Sequence, residues 1–239
     1  MTPLRRPSPN HDARALAVSM IVLHYTGMPT AAAAIERLTD PDARVSAHWL
    51  VTEAGEILQL VDETARAWHA GKSWWRGITD VNSASIGIEI VNPGHEFGYR
   101  AFPEAQMASV ERLVAAAMAR WNIDPSSVVG HSDIAPARKA DPGELFDWPR
   151  LARAGLAAPI PADGIDPGWT DADTLAALHL YGYDIAAPQA AVIAFQRRWR
   201  PADVDGVIDA ETRAILGGLL AQSAQTPRRR CQSSIDAAE

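Results

Sequence analysis

Short runs of valine, isoleucine and leucine constrain the fold of this chain more than any other feature of its sequence. Residues 15–25 and 85–91 are rich in these side chains and predict buried strands, and residues 128–129 predict a third, short one. Residues 45–51 and 57–61 flank the sequence Glu-Ala-Gly-Glu, which indicates a hairpin. The chain is therefore expected to build a sheet from several short strands.

Helical patterns lie between these strands. Residues 30–38 predict a helix with Thr30 as its N-cap, and residues 104–121 predict a long amphipathic helix introduced by Pro103. Strands interleaved with helices predict a mixed α/β domain that extends to about residue 156.

A shift in composition follows this first domain. The next residues have the proline and glycine density of a linker, and after them three segments have helical patterns, at residues 171–181, 188–199 and 209–220. Three such helices would pack as a small bundle. We expect four parts, namely a first domain at 1–156, a linker at 157–167, a three-helix domain at 168–221 and a polar, disordered tail at 222–239.

Composition excludes several classes of protein. The net charge of −7 argues against a general affinity for nucleic acid. The single cysteine, Cys231, excludes an internal disulfide framework and is expected to be an unremarkable thiol. No stretch is long enough to span a membrane, and the N-terminal residues have no apolar signal segment, so we expect a cytoplasmic protein and a monomer.

The most unusual segment is the loop at residues 130–143, which carries His131, Lys139 and Asp141 among prolines and glycines. Neither helical nor strand periodicity accounts for it. His24 ends the first buried strand, and His131 follows residues 128–129 in an equivalent position. Two imidazoles and one carboxylate are typical of a catalytic zinc site, in which a bound water has a pKa of about 7. The alternative is that each histidine is a separate hydrogen-bonded core or surface residue.

Two further charged residues are candidates for catalysis. Glu89 interrupts the apolar run at 85–91 and should lie on the face opposite Ile88 and Ile90. It would serve as general base and then as acid, unless it is an edge-strand carboxylate that faces solvent. Lys139 would stabilise an oxyanion, or is an ordinary surface lysine. Asp133 would either orient a ligand histidine or cap a turn.

Five stretches of the sequence occur together in the order typical of one family. They are Ile-Val-Leu-His-Tyr-Thr at 21–26, Val-Ser-Ala-His-Trp at 45–49, Ala-Trp-His-Ala-Gly at 67–71, Asn-Ser-Ala-Ser-Ile-Gly-Ile-Glu at 82–89, and the loop at 130–143. On these motifs, which cover about residues 15 to 150, the chain resembles zinc-dependent N-acetylmuramoyl-L-alanine amidases of the amidase-2 type. That group is related to peptidoglycan recognition proteins and phage T7 lysozyme.

The resemblance implies a central mixed β-sheet flanked by helices. It also implies one zinc ion bound by His24, His131 and Asp141, with Glu89 as the catalytic carboxylate and Lys139 assisting it. The implied reaction is hydrolysis of the amide bond between N-acetylmuramic acid, or its 1,6-anhydro form, and L-alanine. The alternatives are a non-catalytic peptidoglycan-binding protein and a zinc ion with a structural role.

The resemblance also suggests where substrate binds. Arg44 stands where related enzymes grip a carboxylate of the stem peptide. A second arginine is usual just before the Asn-x-x-Ser-Ile-Gly stretch, but residues 78–81 are Ile-Thr-Asp-Val, and Arg76 is the expected substitute. Tyr25, Trp68 and His69 are expected to line the groove, whereas His48 is expected to be structural. Trp74 and Trp75 would face sugar groups or pack in the core.

The three-helix segment carries a separate resemblance. Residues 194–199 and 204–212 are similar to the peptidoglycan-binding type 1 domain, although Asp209 stands where that family has its second glycine. The alternative is a helical bundle with a purely structural role. The expected partner is peptidoglycan or a muropeptide, and a wall-binding module makes the periplasm or outer membrane the alternative location. The sequence leaves two questions open. One is whether the substrate is intact polymer or anhydro-muropeptide, and the other is which stem peptide is selected.

Overall fold

A computed structural model describes residues 3–225 of the chain. The predicted thiol Cys231 and most of the predicted tail lie outside these residues. The fold contains eight strands: β1 (Leu4–Arg5), β2 (His11–Ala13), β3 (Met20–Tyr25), β4 (Trp49–Val51), β5 (Ile57–Gln59), β6 (Ala65–Ala67), β7 (Ser85–Ile90) and β8 (Val128–Gly130).

Six of the strands form one sheet in the order β1-β5-β4-β7-β3-β8, and β2 and β6 form a separate antiparallel pair. Within the large sheet only β4 and β5 are antiparallel, and the other neighbours are parallel. The predicted central mixed sheet is thus confirmed. β7 lies between β4 and β3 in the interior of the sheet, so the prediction that Glu89 might belong to an edge strand is wrong.

Nine α-helices complete the described part of the fold: α1 (Ala31–Thr39), α2 (Val81–Ala84), α3 (Gly94–Phe97), α4 (Glu104–Trp121), α5 (His131–Ile134), α6 (Trp148–Arg153), α7 (Asp171–Tyr181), α8 (Pro188–Trp199) and α9 (Ala210–Gln225). The hydroxyl of Thr30 accepts a hydrogen bond from the Ala33 amide, which confirms Thr30 as the N-cap of α1. α4, α7 and α8 have the predicted bounds, whereas α9 continues to Gln225, into the segment that was expected to be disordered.

The strands are shorter than predicted. β3 begins at Met20 rather than at residue 15, and β4 begins at Trp49 rather than at residue 45. The reason in the second case is that the Ser46 amide donates to the Trp68 carbonyl, outside the large sheet. The apolar runs of the sequence are therefore longer than the segments whose backbones pair in the sheet.

Alternate residues of β3 pack on opposite faces of the sheet. Ile21 and Leu23 belong to an apolar cluster with α4, and Met20 and Val22 belong to a second cluster. That second cluster also contains residues of the C-terminal helices, among them Leu178, Phe195 and Leu216, and Tyr183, which follows α7. The C-terminal helices therefore cover one face of the sheet directly. Within residues 3–225, no helix is both long and apolar enough to cross a membrane.

Candidate active site

Two neighbouring parallel strands end at the candidate metal ligands. Leu23 of β3 pairs with Gly130 of β8, so His24 and His131 follow paired positions at the same edge of the sheet. Their Nδ1 atoms lie 2.9 Å apart, and each lies 3.1 Å from Oδ2 of Asp141. All three side chains are buried and their ligand atoms converge, so the structure brings the predicted set together.

The two segments that carry these residues are also joined through the backbone. The Ser132 amide, next to His131, donates a hydrogen bond of 2.8 Å to the carbonyl oxygen of Asp141. A side chain on Gly130 would collide with Pro142, because a Cβ atom at this position would lie 2.8 Å from that ring. The glycine thus allows the loop of Asp141 to approach the end of β8.

The outer ring nitrogens of both histidines have defined partners. Nε2 of His131 lies 3.1 Å from the carbonyl oxygen of Ala70, and because a carbonyl only accepts, this nitrogen carries the proton. In the neutral ring Nδ1 of His131 is then the nitrogen without a proton, and it faces Asp141 and His24. Such an outer partner is what fixes the tautomer and orientation of a metal-binding histidine.

His24 is oriented by a chain of hydrogen bonds. The Ser85 hydroxyl donates to the Val81 carbonyl, so its oxygen accepts from Nε2–H of His69, at 3.1 Å. Nδ1 of His69 then accepts from Nε2–H of His24, at 3.0 Å. His69 is only 5% exposed and its ring nitrogens contact His24 and Ser85, while the expectation that it also lines the substrate groove stays a prediction. It holds His24 in the tautomer that leaves Nδ1 free of a proton.

A glycine in the sheet makes room for His69. A Cβ at Gly87 of β7 would lie 2.4 Å from the His69 ring, which is closer than such atoms approach. His48 lies beside this position, and its Nδ1 accepts a hydrogen bond of 2.9 Å from the Gly87 amide. His48 is fully buried, as its expected structural role requires.

The electrostatic state of the three donors suits a cation. Burial lowers the pKa of His24 to about 4, with the charge of His131 adding to the effect. Burial alone would raise the pKa of Asp141, but His131 and His24 outweigh it and hold that pKa well below its ordinary value. Two imidazoles and one carboxylate, all buried and with their donor atoms converging, are a donor set that zinc accepts. The residues therefore fit the implied metal.

Glu89 lies beside this set. It pairs with His24 across β7 and β3, and it is 8% exposed, whereas Ile88 and Ile90 pack in the cluster on the opposite face, as predicted. Its Oε2 atom is buried and has no hydrogen-bond partner among the described residues. Burial, together with the charge of Asp141, raises the pKa of Glu89 well above its ordinary value. A buried carboxylate with a free oxygen is suited to accept a proton.

Lys139 is exposed and lies on the loop between His131 and Asp141. Its amide donates to the Ala135 carbonyl at 3.0 Å, which closes a turn after α5. The charge of Lys139 lowers the pKa values of Glu89 and His24, so its ammonium group acts on the same site.

A cavity of about 340 Å³ is bordered by Trp68 and Gly71, which flank His69 and Ala70, the partners of the two candidate ligand histidines. It is lined by Asp12, Arg44, Arg66, Trp68, Gly71 and Asn82. The Arg44 guanidinium lies 5.7 Å from the centre of the Trp68 ring, and the Arg44 backbone has a φ of 51°. Oδ1 of Asn82 accepts from the amides of His69 and Ala70, which connects the cavity wall to the partners of both histidines.

The second arginine of this cavity is Arg66, which the sequence did not single out. It pairs with Asp12 at 3.2 Å and with Asp80 at 3.0 Å. Arg76 occupies a different place from the one predicted, because its Nε donates to the Tyr181 carbonyl at 3.0 Å and it does not line the cavity. The available signal for Arg66 was its position directly before the Ala-Trp-His-Ala-Gly motif, which begins at Ala67.

The remaining aromatic residues divide between core and surface. Trp75 is 2% exposed and packs in the core, and Trp74 stacks on His179 of α7 with ring centres 4.9 Å apart. Tyr25 is partly exposed beside His24, and its hydroxyl lies 2.9 Å from Nδ1 of His95. Tyr25 therefore lies at the rim of the site, where its expected contact with substrate stays a prediction.

Comparisons with known proteins agree with this geometry. The family model for N-acetylmuramoyl-L-alanine amidase matches residues 14–144. The N-acetylmuramoyl-L-alanine amidase AmiD of Escherichia coli K12 is 37% identical over 235 residues, which cover 87% of this chain and 84% of that protein. The 1,6-anhydro-N-acetylmuramyl-L-alanine amidase AmpD of Salmonella typhimurium is 36% identical over 166 residues, which cover 62% of this chain and 87% of that protein.

Solved structures show the same relationship. The complex of AmiD from E. coli with anhydro-N-acetylmuramic acid-L-Ala-D-gamma-Glu-L-Lys has a TM-score of 0.79 and 36% identity, and the match covers 90% of this chain and 94% of that one. AmpDh3 from Pseudomonas aeruginosa has a TM-score of 0.78 and 34% identity, over 87% of this chain and 92% of that one. The chain belongs to the N-acetylmuramoyl-L-alanine amidase family.

Proposed function

We propose that the chain hydrolyses the amide bond between the lactyl group of N-acetylmuramic acid, or of its 1,6-anhydro form, and L-alanine, with a zinc ion as cofactor. The observation that carries the proposal is the convergence of His24, His131 and Asp141 beside the unpartnered carboxylate of Glu89. The relatives support the substrate class, because they are named as amidases of this bond and one was solved with an anhydromuramyl tripeptide.

The zinc ion would be held by Nδ1 of His24, Nδ1 of His131 and Oδ2 of Asp141. When bound, zinc polarises the amide carbonyl and lowers the pKa of a nearby water. Glu89 removes a proton from that water as it attacks the carbonyl carbon. The same carboxyl group then gives the proton to the nitrogen of L-alanine as the carbon–nitrogen bond breaks. The products are the free carboxyl group of the sugar and the free amine of the stem peptide.

Two features of the protein assist these proton transfers. The raised pKa of Glu89 makes its carboxylate a better base than an exposed one, and makes its acid form persist long enough to protonate the amine. The Lys139 ammonium group stabilises the negative charge that develops on the carbonyl oxygen, because its field reaches the same site. The hydrogen bonds at the Nε2 atoms of His24 and His131 favour the tautomer of each neutral ring in which Nδ1 has a free lone pair.

The cavity of Arg44 is the proposed binding place for the stem peptide. A peptide with a γ-linked D-glutamate presents a free α-carboxylate, and the Arg44 guanidinium has no carboxylate partner among the described ion pairs. Arg66, by contrast, is already paired with Asp12 and Asp80. We therefore assign the recognition of a peptide carboxylate to Arg44 and the shaping of the cavity wall to Arg66.

We also propose that residues 168–221 form a peptidoglycan-binding domain. Asp209, which replaces the usual glycine, caps α9 through the Thr212 amide at 2.8 Å and pairs with Arg200, so the turn closes without that glycine. A cavity of about 310 Å³ lies between this turn, α7 and α8, and is lined in part by Leu175, Val192 and Val207. The lining also includes Asp171 and Gln189, and a recess that combines apolar and polar side chains is suited to hold a sugar ring and its hydroxyl groups.

The proposed function is tested by incubating the zinc-loaded full chain with anhydro-N-acetylmuramic acid-L-Ala-D-γ-Glu-L-Lys. Mass spectrometry should detect free L-Ala-D-γ-Glu-L-Lys and anhydro-N-acetylmuramic acid. A second incubation with intact sacculi compares the polymer with the soluble substrate. Binding to both substrates without release of peptide would instead identify a recognition protein, and cleavage at a different bond would refute the assigned reaction.

A further inference from the structure

The C-terminal helices contact the metal-binding region through a buried carboxylate. Asp133 lies on α5, two residues after His131, and is fully buried. Its Oδ2 atom accepts a hydrogen bond of 2.7 Å from the amide of Gly130, the residue that precedes His131. Asp133 thus closes the tight turn that leads from β8 into His131.

The other partners of Asp133 come from the C-terminal part of the chain. The Tyr183 hydroxyl, just after α7, donates to Oδ1 of Asp133 at 2.6 Å. Nη1 of Arg198, on α8, lies 3.2 Å from Oδ2. Both residues are buried, and burial together with Asp133 raises the pKa of Tyr183 well above its ordinary value, so the phenol keeps its proton and donates it. The carboxylate is therefore satisfied only when these helices are in place.

Arg198 also holds the strand that precedes the turn. Its Nη2 donates to the Val128 carbonyl at 3.0 Å, and its guanidinium lies 3.7 Å from the centre of the Trp148 ring. A planar guanidinium that donates in two directions while stacking on an aromatic ring has one favoured position. Arg198 therefore ties β8 and α5 together at the point where His131 begins.

The adjacent residue of α8 reaches the second ligand segment. Nε of Arg197 lies 3.5 Å from Oε2 of Glu144, three residues after Asp141. Arg197 and Arg198 thus contact the two segments that supply His131 and Asp141. The interface between the C-terminal helices and the sheet therefore contains polar contacts directed at the two ligand segments, in addition to its buried apolar surface.

We infer that Tyr183 and Arg198 are positioning residues for metal binding, which hold Asp133 so that the turn presents His131 to the ion. The inference rests on the proposed zinc site and goes beyond it, because it gives the C-terminal helices a role in assembling that site in addition to any contact with the cell wall. Outer partners of metal ligands typically change metal affinity about 10- to 100-fold when they are removed. Tyr183 and Arg198 contact Asp133 and not a candidate ligand, so we expect their removal to lower zinc affinity by about 10-fold, the lower end of that range.

The test compares two single hydroxyl deletions in the full chain. Tyr183→Phe removes the donor to Asp133 and keeps the ring in the core. Tyr181→Phe is the matched control, because Tyr181 packs in the same cluster but makes no hydrogen bond to Asp133 in the described structure. Zinc affinity is measured by competition with a chromophoric chelator, and thermal unfolding of the metal-free proteins is measured in parallel.

We expect Tyr183→Phe to bind zinc about 10-fold more weakly than wild type, and Tyr181→Phe to bind it within about two-fold. Arg198→Lys keeps the charge but loses the second hydrogen bond and the stacking, and it should weaken zinc binding similarly; it replaces Tyr183→Phe if that variant does not fold. Unchanged zinc affinity in either folded variant, with only a lower unfolding temperature, would overturn the inference. Failure of the wild-type chain to bind zinc would overturn the proposed site itself.

Discussion

His24 and Glu89 are paired residues on adjacent parallel strands, so their side chains leave the sheet on the same face and at the same level. The distance between the candidate metal ligand His24 and the proposed proton acceptor Glu89 is therefore set by the register of β3 and β7 and not by a loop. A slip of one residue would turn Glu89 into the apolar cluster that Ile88 and Ile90 occupy. Several outcomes can be expected from this arrangement and from the contacts around it.

Replacing Glu89 by glutamine should abolish proton transfer while leaving the shape of the site unchanged. We expect kcat to fall about 100- to 10,000-fold, which is the usual contribution of a general base. Zinc affinity should stay close to that of wild type, because Glu89 is not among the three converging donors. The exposed residue Glu36 provides the control Glu36→Gln. Turnover at the wild-type rate by Glu89→Gln would remove Glu89 from the mechanism.

Removal of the metal should stop catalysis without unfolding the chain. The sheet is packed by apolar clusters on both faces, and the ligands lie only at one edge of it. After treatment with dipicolinate, muropeptide cleavage should be lost and the far-ultraviolet circular dichroism should be retained, and added zinc should restore cleavage. Chelator presaturated with zinc is the control. Loss of secondary structure on chelation would show that the ion has a structural role.

His69→Phe should weaken zinc binding, because the phenyl ring leaves Nε2–H of His24 without its acceptor. An effect of about 10- to 100-fold on zinc affinity is expected, as for other outer partners of ligands. Gly87→Ala should act in the same direction, since the new methyl group would displace the His69 ring. The same chemical change at the exposed His11, His11→Phe, is the control. Isothermal titration of the metal-free proteins measures each affinity, and equal values would contradict the assigned role of His69.

Arg44 should determine affinity for the stem peptide without affecting the metal. Loss of a hydrogen bond to a charged group costs about 1.5–3 kcal/mol, so Arg44→Ala should lower kcat/KM about 10- to 100-fold, mainly through KM. Arg44→Gly should lose the same affinity and yet be more stable than Arg44→Ala, because the backbone φ of 51° suits glycine. Steady-state kinetics and urea unfolding separate the two effects. Arg37→Ala on α1 is the control, and an unchanged KM in both Arg44 variants would exclude this residue from substrate binding.

Stability of the metal-free chain should fall as the solution becomes mildly acidic. Burial, with the charge of Arg14, lowers the pKa of His48 to about 3, and burial lowers that of His24 to about 4. The folded chain therefore excludes protons that the unfolded chain binds below its histidine pKa of about 6.5. The stabilisation is complete above that pH and is lost as the pH falls toward the folded values.

The expected slope is about 1.4 kcal/mol per pH unit for each such histidine. Urea unfolding of metal-free protein between about pH 7 and about pH 4.5 measures it. Replacement of the exposed His11 by glutamine controls for a general change in surface charge. A free energy of unfolding that stays constant over this range would show that these imidazoles are not excluded from protonation by the fold.

Local sequence was sufficient to predict the positions of the ligands. His24 and His131 each follow a run of apolar residues, and such runs predict strands that end at a common edge. Glu89 could also be singled out from the sequence, because a carboxylate within an apolar strand requires a specific environment. The bounds of the helices α4, α7 and α8 could also be predicted to the residue.

Contacts between distant segments could not be predicted in this way. The role of His69 depends on a void above Gly87 and on the position of His24, which is 45 residues away in sequence. Arg66 lines the cavity of Arg44 and Arg76 does not, because the fold directs the Arg66 guanidinium to Asp12 and Asp80. In both cases the residue type suggested a role in the site, but the direction of the side chain was determined by packing between distant segments.

The apolar cluster that joins the sheet to the C-terminal helices limits how this gene can recombine. Trp75, Val129 and Ile134 pack against Leu178 and Phe195, so a fusion that exchanged the last helices for an unrelated wall-binding module would leave this face of the sheet in water. Binding modules are often transferred between enzymes because they share little surface with the parts they join. In this chain the sheet and the C-terminal helices share an apolar cluster, so their inheritance as a single unit is favoured. A hybrid enzyme with other C-terminal helices would first need a redesigned sheet face.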